Sequence, residues 1–283
     1  MNYRIITDSS ANMINTTGEA LFSPVGFAAV PLKIRTSEKE YVDDAALDVA
    51  GMVADLRTVK GKSGSSCPNI DDWTEAFRGA DVVFAYTISS NLSGSYASAC
   101  NAARELCEAH PEMRIHVFDS LSTGPEMQLM MEKTFALIAE GKSFEEIVDG
   151  VNRYHKTTHL TFSLESLHNL AVNGRVNPAV AKIAGVLGIR VIAIASEEGT
   201  IEMLHKSRGE KAMLQTMWET MKKRGYVGGK VRIAHCFNEG AAEALTAAIR
   251  EAYPNADVER TLCRGLCSFY AEKGGLLVGF ETI

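Results

Sequence analysis

The apolar run Val82-Val83-Phe84-Ala85 leads into Tyr86-Thr-Ile-Ser-Ser-Asn-Leu-Ser-Gly-Ser-Tyr96 and then into an alanine-rich segment, Ala97 to Leu106. A strand with no polar face must be covered on both sides, and the alanine-rich segment reads as a covering helix. Strand, hydroxyl-rich turn and helix in that order make one βα unit of a parallel sheet. Unpaired backbone N–H groups and the positive end of the helix dipole meet at the turn, which suits it to a small anion. The serines add donors there without adding charge.

The same alternation runs through the first half. Arg4-Ile5-Ile6 reads as a strand followed by the turn Thr7-Asp8-Ser9-Ser10-Ala11-Asn12. Phe27 to Ile34 reads as one extended run, with Pro31 marking an edge or bulge. A helix near Leu47–Leu56, a glycine-serine loop over Gly61–Pro68 and a helix opening at Asp71-Asp72 come next. After strand Val82–Ile88 and helix Ala97–Glu108, strand Ile115–Phe118 ends in Asp119-Ser120-Leu-Ser122-Thr123-Gly124, ahead of a methionine-bearing helix to about Ala139.

The second half mixes hairpin and helix signals. Arg190–Ala195 and Thr200–Leu204 flank Glu198-Gly199 with hairpin spacing, and Ala179–Leu187 reads as a compact helix. Helices around Gly209–Lys223 and up to Ala252 alternate with strands at Val231–His235, Val258–Leu262 and Leu276–Phe280. The expected fold is therefore α/β. A mostly parallel α/β/α sandwich covers residues 1–160, and an α+β unit with a mixed or antiparallel sheet covers 161–283.

Composition narrows the function. The chain has 283 residues and a formal net charge of −6, without the basic face that nucleic acid or an anionic membrane surface requires. No apolar segment approaches the roughly 18 residues of a membrane span, and the first residues pass straight into a strand pattern. The six cysteines contain no CxxC pair. A cytoplasmic protein with reduced thiols, no stable membrane insertion and a monomeric state is expected.

Enzyme signatures are missing from the pattern. There is no GxGxxG, P-loop or GxSxG, and His155-Lys-Thr-Thr-His159 lacks the glutamate of a zincin. No catalytic residue, metal or cofactor is expected. What remains are three hydroxyl-bearing strand-to-helix crossings, at Ser9/Ser10, Ser89/Ser90/Ser93/Ser95 and Ser120/Ser122/Thr123. The C-terminal strand ends of a parallel sheet share one edge, so these crossings, with Ser63, Ser65 and Ser66 on another loop, can converge on one polar pocket. Each serine also suits a helix N-cap, and Asp8 and Asp119 suit capping or hydroxyl orientation. Two methionine stripes, Met127/Met130/Met131 and Met213/Met217/Met221, fit either core packing or a pocket for a flexible apolar ligand.

With those residues in place, the chain resembles the DegV family of bacterial fatty-acid-binding proteins, over nearly its whole length. Ile6-Thr-Asp-Ser-Ser-Ala-Asn12 resembles the family's opening Asp-Ser-Ser element, and Val30-Pro-Leu-Lys-Ile34 with Tyr41-Val-Asp-Asp44 resembles its next segment. Ser65-Ser66-Cys67-Pro68 falls where the family has Thr-Ser-Gln-Pro, and Leu92-Ser-Gly-Ser-Tyr96 is close to its Leu-Ser-Gly-Thr-Tyr signature. Asn173-Gly174-Arg175 resembles its Gly-Gly-Arg turn, and Lys206-Ser-Arg208 its Lys-x-Arg element.

The resemblance implies a carrier that holds one long-chain fatty acid in an apolar tunnel and presents it to a fatty acid kinase. It implies Ser65 and Ser93 as carboxylate ligands, with Tyr270 near the head group; Ser90 is a further candidate there, and Arg175, Lys206 and Arg208 are candidates for partner docking. The chain departs from the family pattern in three places. Tyr270 stands for a histidine, Cys67 for a glutamine and Arg190-Val191 for a Lys-Pro. The alternatives are a small α/β transferase acting on a phosphorylated substrate and a lipid-binding regulatory protein that serves no kinase.

Overall fold

The computed structural model describes residues 1–58, 61–177 and 188–283. Strands β1 (Tyr3–Asp8), β2 (Gly26–Val30), β6 (Val82–Thr87) and β7 (Arg114–Asp119) form a sheet in the order β2-β1-β6-β7. Every neighbouring pair in it is parallel. All of β6 is buried, as its unbroken apolar run requires. Alternate side chains then feed two cores. Ile6, Val83 and Ala85 meet Trp73, Phe77, Ala99 and Leu106 of α3 (Ile70–Phe77) and α4 (Ser95–Ala109). Ile5, Phe84 and Tyr86 meet Phe22 of α1 (Asn15–Phe22), Met130 of α5 (Pro125–Ala139) and Ile147 of α6 (Phe144–His155).

The second sheet contains β8 (Thr158–Leu164), β9 (Ile189–Ala195), β10 (Ile201–Arg208), β11 (Val231–His235), β12 (Val258–Leu262) and β13 (Leu276–Glu281). Their order is β10-β9-β8-β13-β11-β12, antiparallel throughout except for the parallel β11–β12 pair. Period-two alternation again sorts the faces. Ile192, Ile233, Leu276, Val278 and Phe280 pack on Met213, Met217, Met221, Leu245 and Ile249. Those residues lie on α8 (Glu210–Lys223) and α9 (Glu239–Ala252). Leu160, Phe162, Leu164, Ala193 and Leu277 face the other way.

That inner face is closed by three further pieces. They are α10 (Gly265–Ala271), α2 (Val49–Leu56) and a small antiparallel sheet of β3 (Lys33–Arg35), β4 (Glu40–Val42) and β5 (Gly64–Ser66). Helix α5 lies between the two large sheets, in contact with β6 on one side and with β8, β11 and β13 on the other. Gly279 on β13 allows this approach: a Cβ there would fall 2.6 Å from the Glu126 amide nitrogen.

Several expectations change on this frame. Phe27–Ile34 is not one strand: β2 and β3 belong to different sheets, and Pro31-Leu32 is the break between them. The Gly61–Pro68 loop contains β5, so Ser65 is carried on a strand. Both methionine stripes are core, which removes the ligand-pocket reading of the first. The expected helix over Ala179–Leu187 lies outside the described residues. Residue 160 lies within β8, and β3, β4 and α2 share a core with β8, β9 and α10.

Candidate functional site

A cavity of about 250 Å³ lies where the C-terminal ends of the parallel strands meet the inner face of the second sheet. Its body is apolar. Leu160, Phe162 and Leu164 reach it from alternate positions of β8, Leu277 from the neighbouring β13, and Ile201 from β10. Leu32, Ile88 and Leu92 arrive from the loops after β2 and β6. Helix α10 contributes Leu266, Cys267, Tyr270 and Ala271, a spacing that keeps all four on one helix face. The Cys267 thiol donates to the Ser10 carbonyl at 3.3 Å, and burial pushes its pKa up to about 12, so it adds no charge to the wall.

The polar groups gather where β5, the β6–α4 turn, α10 and the turn after α7 (His168–Val172) meet. The Ser65 and Tyr270 hydroxyls are 2.8 Å apart. One of them donates to the other, which leaves one O–H of the pair free. Ser93 Oγ accepts from the Ser95 amide at 3.3 Å, at the start of α4. Among the described residues its own O–H has no acceptor, so it too is free to donate. Helix α4 has no side-chain cap from Gly94, and Ser93 Oγ takes its first amide, which sets Ser93 at the positive end of the helix. Two neutral donors at a helix N-terminus face an apolar chamber.

Arg175 also lies in the wall. Its Nε donates to the Leu92 carbonyl at 3.1 Å and its Nη1 to the Asn173 carbonyl, which ties the α7 turn to the Ser93 turn. Asn173 completes the clamp by donating to the Ser63 carbonyl at 3.2 Å, next to β5.

The other serines of the three crossings are mostly occupied within the fold, Ser122 Oγ being buried without a hydrogen-bond partner among the described residues. Asp8 is fully buried and accepts from the Ser10 amide and hydroxyl through Oδ1, and from the Ile88 amide and Ser95 hydroxyl through Oδ2. Burial nevertheless pushes its carboxyl above the usual range. Ser89 donates to the Gly199 carbonyl at 2.6 Å, and Ser120 to the Ser122 carbonyl at 3.1 Å. The crossings do converge, but most of their hydroxyls hold the convergence together. Only Ser93, Ser122 and Thr123 among them line the cavity.

Asp43 was not among the residues expected at the site, yet it fixes one wall. It is buried, with Oδ1 2.7 Å from the Gly265 amide and Oδ2 2.8 Å from the Leu266 amide. A carboxylate at these first amides of α10 sets the helix that carries Tyr270. In Asp43→Asn an NH₂ group must face one of two backbone N–H donors whichever way the amide turns. The variant should lose about 1–3 kcal/mol of stability in urea unfolding. An unchanged midpoint would remove Asp43 from this role.

The structure thus brings together Ser65, Ser93, Tyr270 and Arg175. It does not bring Ser90, which is exposed, with its amide 3.1 Å from Asp119 Oδ1. Lys206 and Arg208 are exposed on β10 and outside the cavity wall. No set of three His, Cys, Asp or Glu side chains among the described residues is placed to hold a metal.

The profile of the family described as "Uncharacterised protein, DegV family" matches residues 2–282. The chain belongs to the DegV family. Over 281 residues it is 41% identical to a DegV domain-containing protein of Streptococcus pneumoniae, covering 99% of each chain. Among solved structures, this DegV protein is similar to one from Eubacterium eligens loaded with heptadecanoic acid. The TM-score there is 0.95 at 42% identity, covering 99% of this chain and 100% of the other. It is also similar to the Fatty Acid Kinase (Fak) B3 protein of Streptococcus pneumoniae loaded with linoleic acid, with a TM-score of 0.94, 40% identity and 100% coverage of both chains. The α/β architecture, with one parallel and one mixed sheet, is that of these DegV structures. No described helix of this DegV protein is long and apolar enough to cross a membrane.

Proposed function

We propose that this DegV protein is a non-enzymatic carrier that holds a long-chain fatty acid in the cavity and presents its carboxylate to a fatty acid kinase. The observation that carries this reading is the pairing of an apolar chamber with two unspent hydroxyl donors at one end. Burying a long acyl chain at about 0.8 kcal/mol per methylene gives on the order of 10 kcal/mol before ordering costs. The tail therefore supplies affinity, and Ser93 with the Ser65–Tyr270 pair sets the direction of the head group. The fatty acids carried by the E. eligens and Fak B3 proteins support this assignment.

Neutral donors matter for the presenting role. An arginine fork would hold a carboxylate strongly and draw charge from it. Arg175, the cation in the wall, has Nε and Nη1 engaged by backbone carbonyls, so the hydroxyls leave the carboxylate more nucleophilic toward a phosphoryl group. In this reading residues 1–160 supply most of the head-group loops and residues 161–283 cover the tail. The exposed Lys206 and Arg208 dock the partner. The carrier works as a cytoplasmic monomer.

The test is reconstitution with the ATP-binding subunit of a bacterial fatty acid kinase, ATP, oleate and hydroxylamine. Acyl hydroxamate should form only when this protein is present. No hydroxamate above the control would contradict the presenting role while leaving fatty acid binding to be judged separately.

A further inference from the structure

We propose that a second cavity, adjoining the acyl chamber, binds a small phosphate-bearing molecule. This cavity measures about 390 Å³. It shares Leu121, Leu160 and Ala195 with the first, so the two cavities adjoin at these residues. On its far side the character changes: Lys156, Arg224, His155, His159 and Glu126 line the space. An acyl tail gains nothing by extending into it, because the methyl end would meet charged groups that need water or a counter-charge.

Arg224 is the decisive residue. It follows α8, and its amide continues the helix by donating to the Thr220 carbonyl at 3.0 Å. A cation at a helix C-terminus is favourable in itself, but that does not require its guanidinium to be withdrawn from water. Here Nε is buried with no hydrogen-bond partner, and the guanidinium makes no ion pair among the described residues. A buried N–H left unmade costs about 1–3 kcal/mol, which an acceptor arriving in the cavity would relieve.

Glu126 does not serve as that acceptor. Its Oε1 accepts from the Thr158 hydroxyl at 2.8 Å and lies 4.0 Å from His155 Nε2. Burial pushes its carboxyl up, while His155 and Arg224 draw it down. His159 is held down at about 4 by burial and by repulsion from Arg224 and His155, so it offers an uncharged imidazole. The cavity therefore presents the side chains of Lys156 and Arg224 with the His159 imidazole and the buried Glu126 carboxyl beside them. Glu197, also in the lining, is exposed and can turn to water. A guanidinium and an ammonium match a dianion with three terminal oxygens better than a single carboxylate. One water occupies only about 30 Å³, so the space suits a small phosphate ester more than a bare ion. The shared residues place such a ligand beside the acyl chamber.

The experiment is calorimetric titration of the whole protein with glycerol 3-phosphate, with malonate as the carboxylate probe. Glycerol 3-phosphate should bind saturably, and malonate at least about tenfold more weakly, the spread that one charged hydrogen bond supplies. Arg224→Gln should weaken glycerol 3-phosphate by about tenfold or more while leaving oleate affinity intact, which also reports that the variant folds. The His159 imidazole resonances of the unmodified protein should shift during the same titration. No saturable binding, equal binding of malonate, or unmoved His159 resonances would overturn the proposal. So would wild-type affinity in the variant.

Discussion

Octanoate should bind this protein at least about a thousandfold more weakly than palmitate. The two acids differ by about eight methylenes, worth roughly 6 kcal/mol when fully buried, and the ordering of a longer chain takes back part of that. The polar ends are identical, so the serine cluster contributes equally to both and cancels from the comparison. The difference therefore isolates the chamber formed by Leu160, Phe162, Leu164 and Leu277. Competition against a fluorescent acyl probe measures it directly. A gap smaller than about tenfold would mean that the apolar chamber is not the main source of affinity.

The double variant Ser65→Ala/Ser93→Ala should weaken palmitate by about tenfold or more, most of it from the loss of Ser93. Each lost bond to a charged acceptor is worth about 1.5–3 kcal/mol. Removing Ser65 also frees the Tyr270 hydroxyl, 2.8 Å away, to turn its proton to the ligand. The single Ser65→Ala change should therefore cost less than Ser93→Ala, whose position has no such understudy. The loss should also be the same for palmitate and laurate, because the affected atoms touch only the head group. Unchanged affinity in the double variant would place the carboxylate elsewhere. A loss that grows with chain length would point to a collapsed chamber rather than missing donors.

The parts that the sequence made legible share a physical cause. β6 has no polar face, so it had to lie inside a sheet with helices on both sides, and the turn after it had to present serines at a helix start. Ser90 and Ser93 look equivalent in the chain, yet the turn leaves Ser90 exposed, with its backbone amide on Asp119, and puts Ser93 in the cavity wall. Local pattern does not hold that distinction. Nor does it hold the Ser65–Tyr270 contact, which joins positions 205 residues apart. Tyr270 entered only through likeness to a family motif, and α10 is too short to show an amphipathic period.

Asp43 was missed for the opposite reason. An acidic residue in a polar stretch reads as solvent-facing, and only the amides of Gly265 and Leu266 explain why this one is buried. The serine clusters misled in the same way. A hydroxyl at a crossing signals convergence, but Asp8 absorbs Ser10 and Ser95 before any ligand can. The methionine stripe on α5 was ambiguous because a helix between two sheets is buried on more than one face, which periodicity alone cannot separate from a pocket wall.

Native mass spectrometry of the protein purified from a bacterial host tests the central claim most directly. The account predicts a bound mass of one long-chain fatty acid per chain, released on denaturation and replaced by added oleate. A protein that carries no lipid and also fails to take up oleate would contradict it.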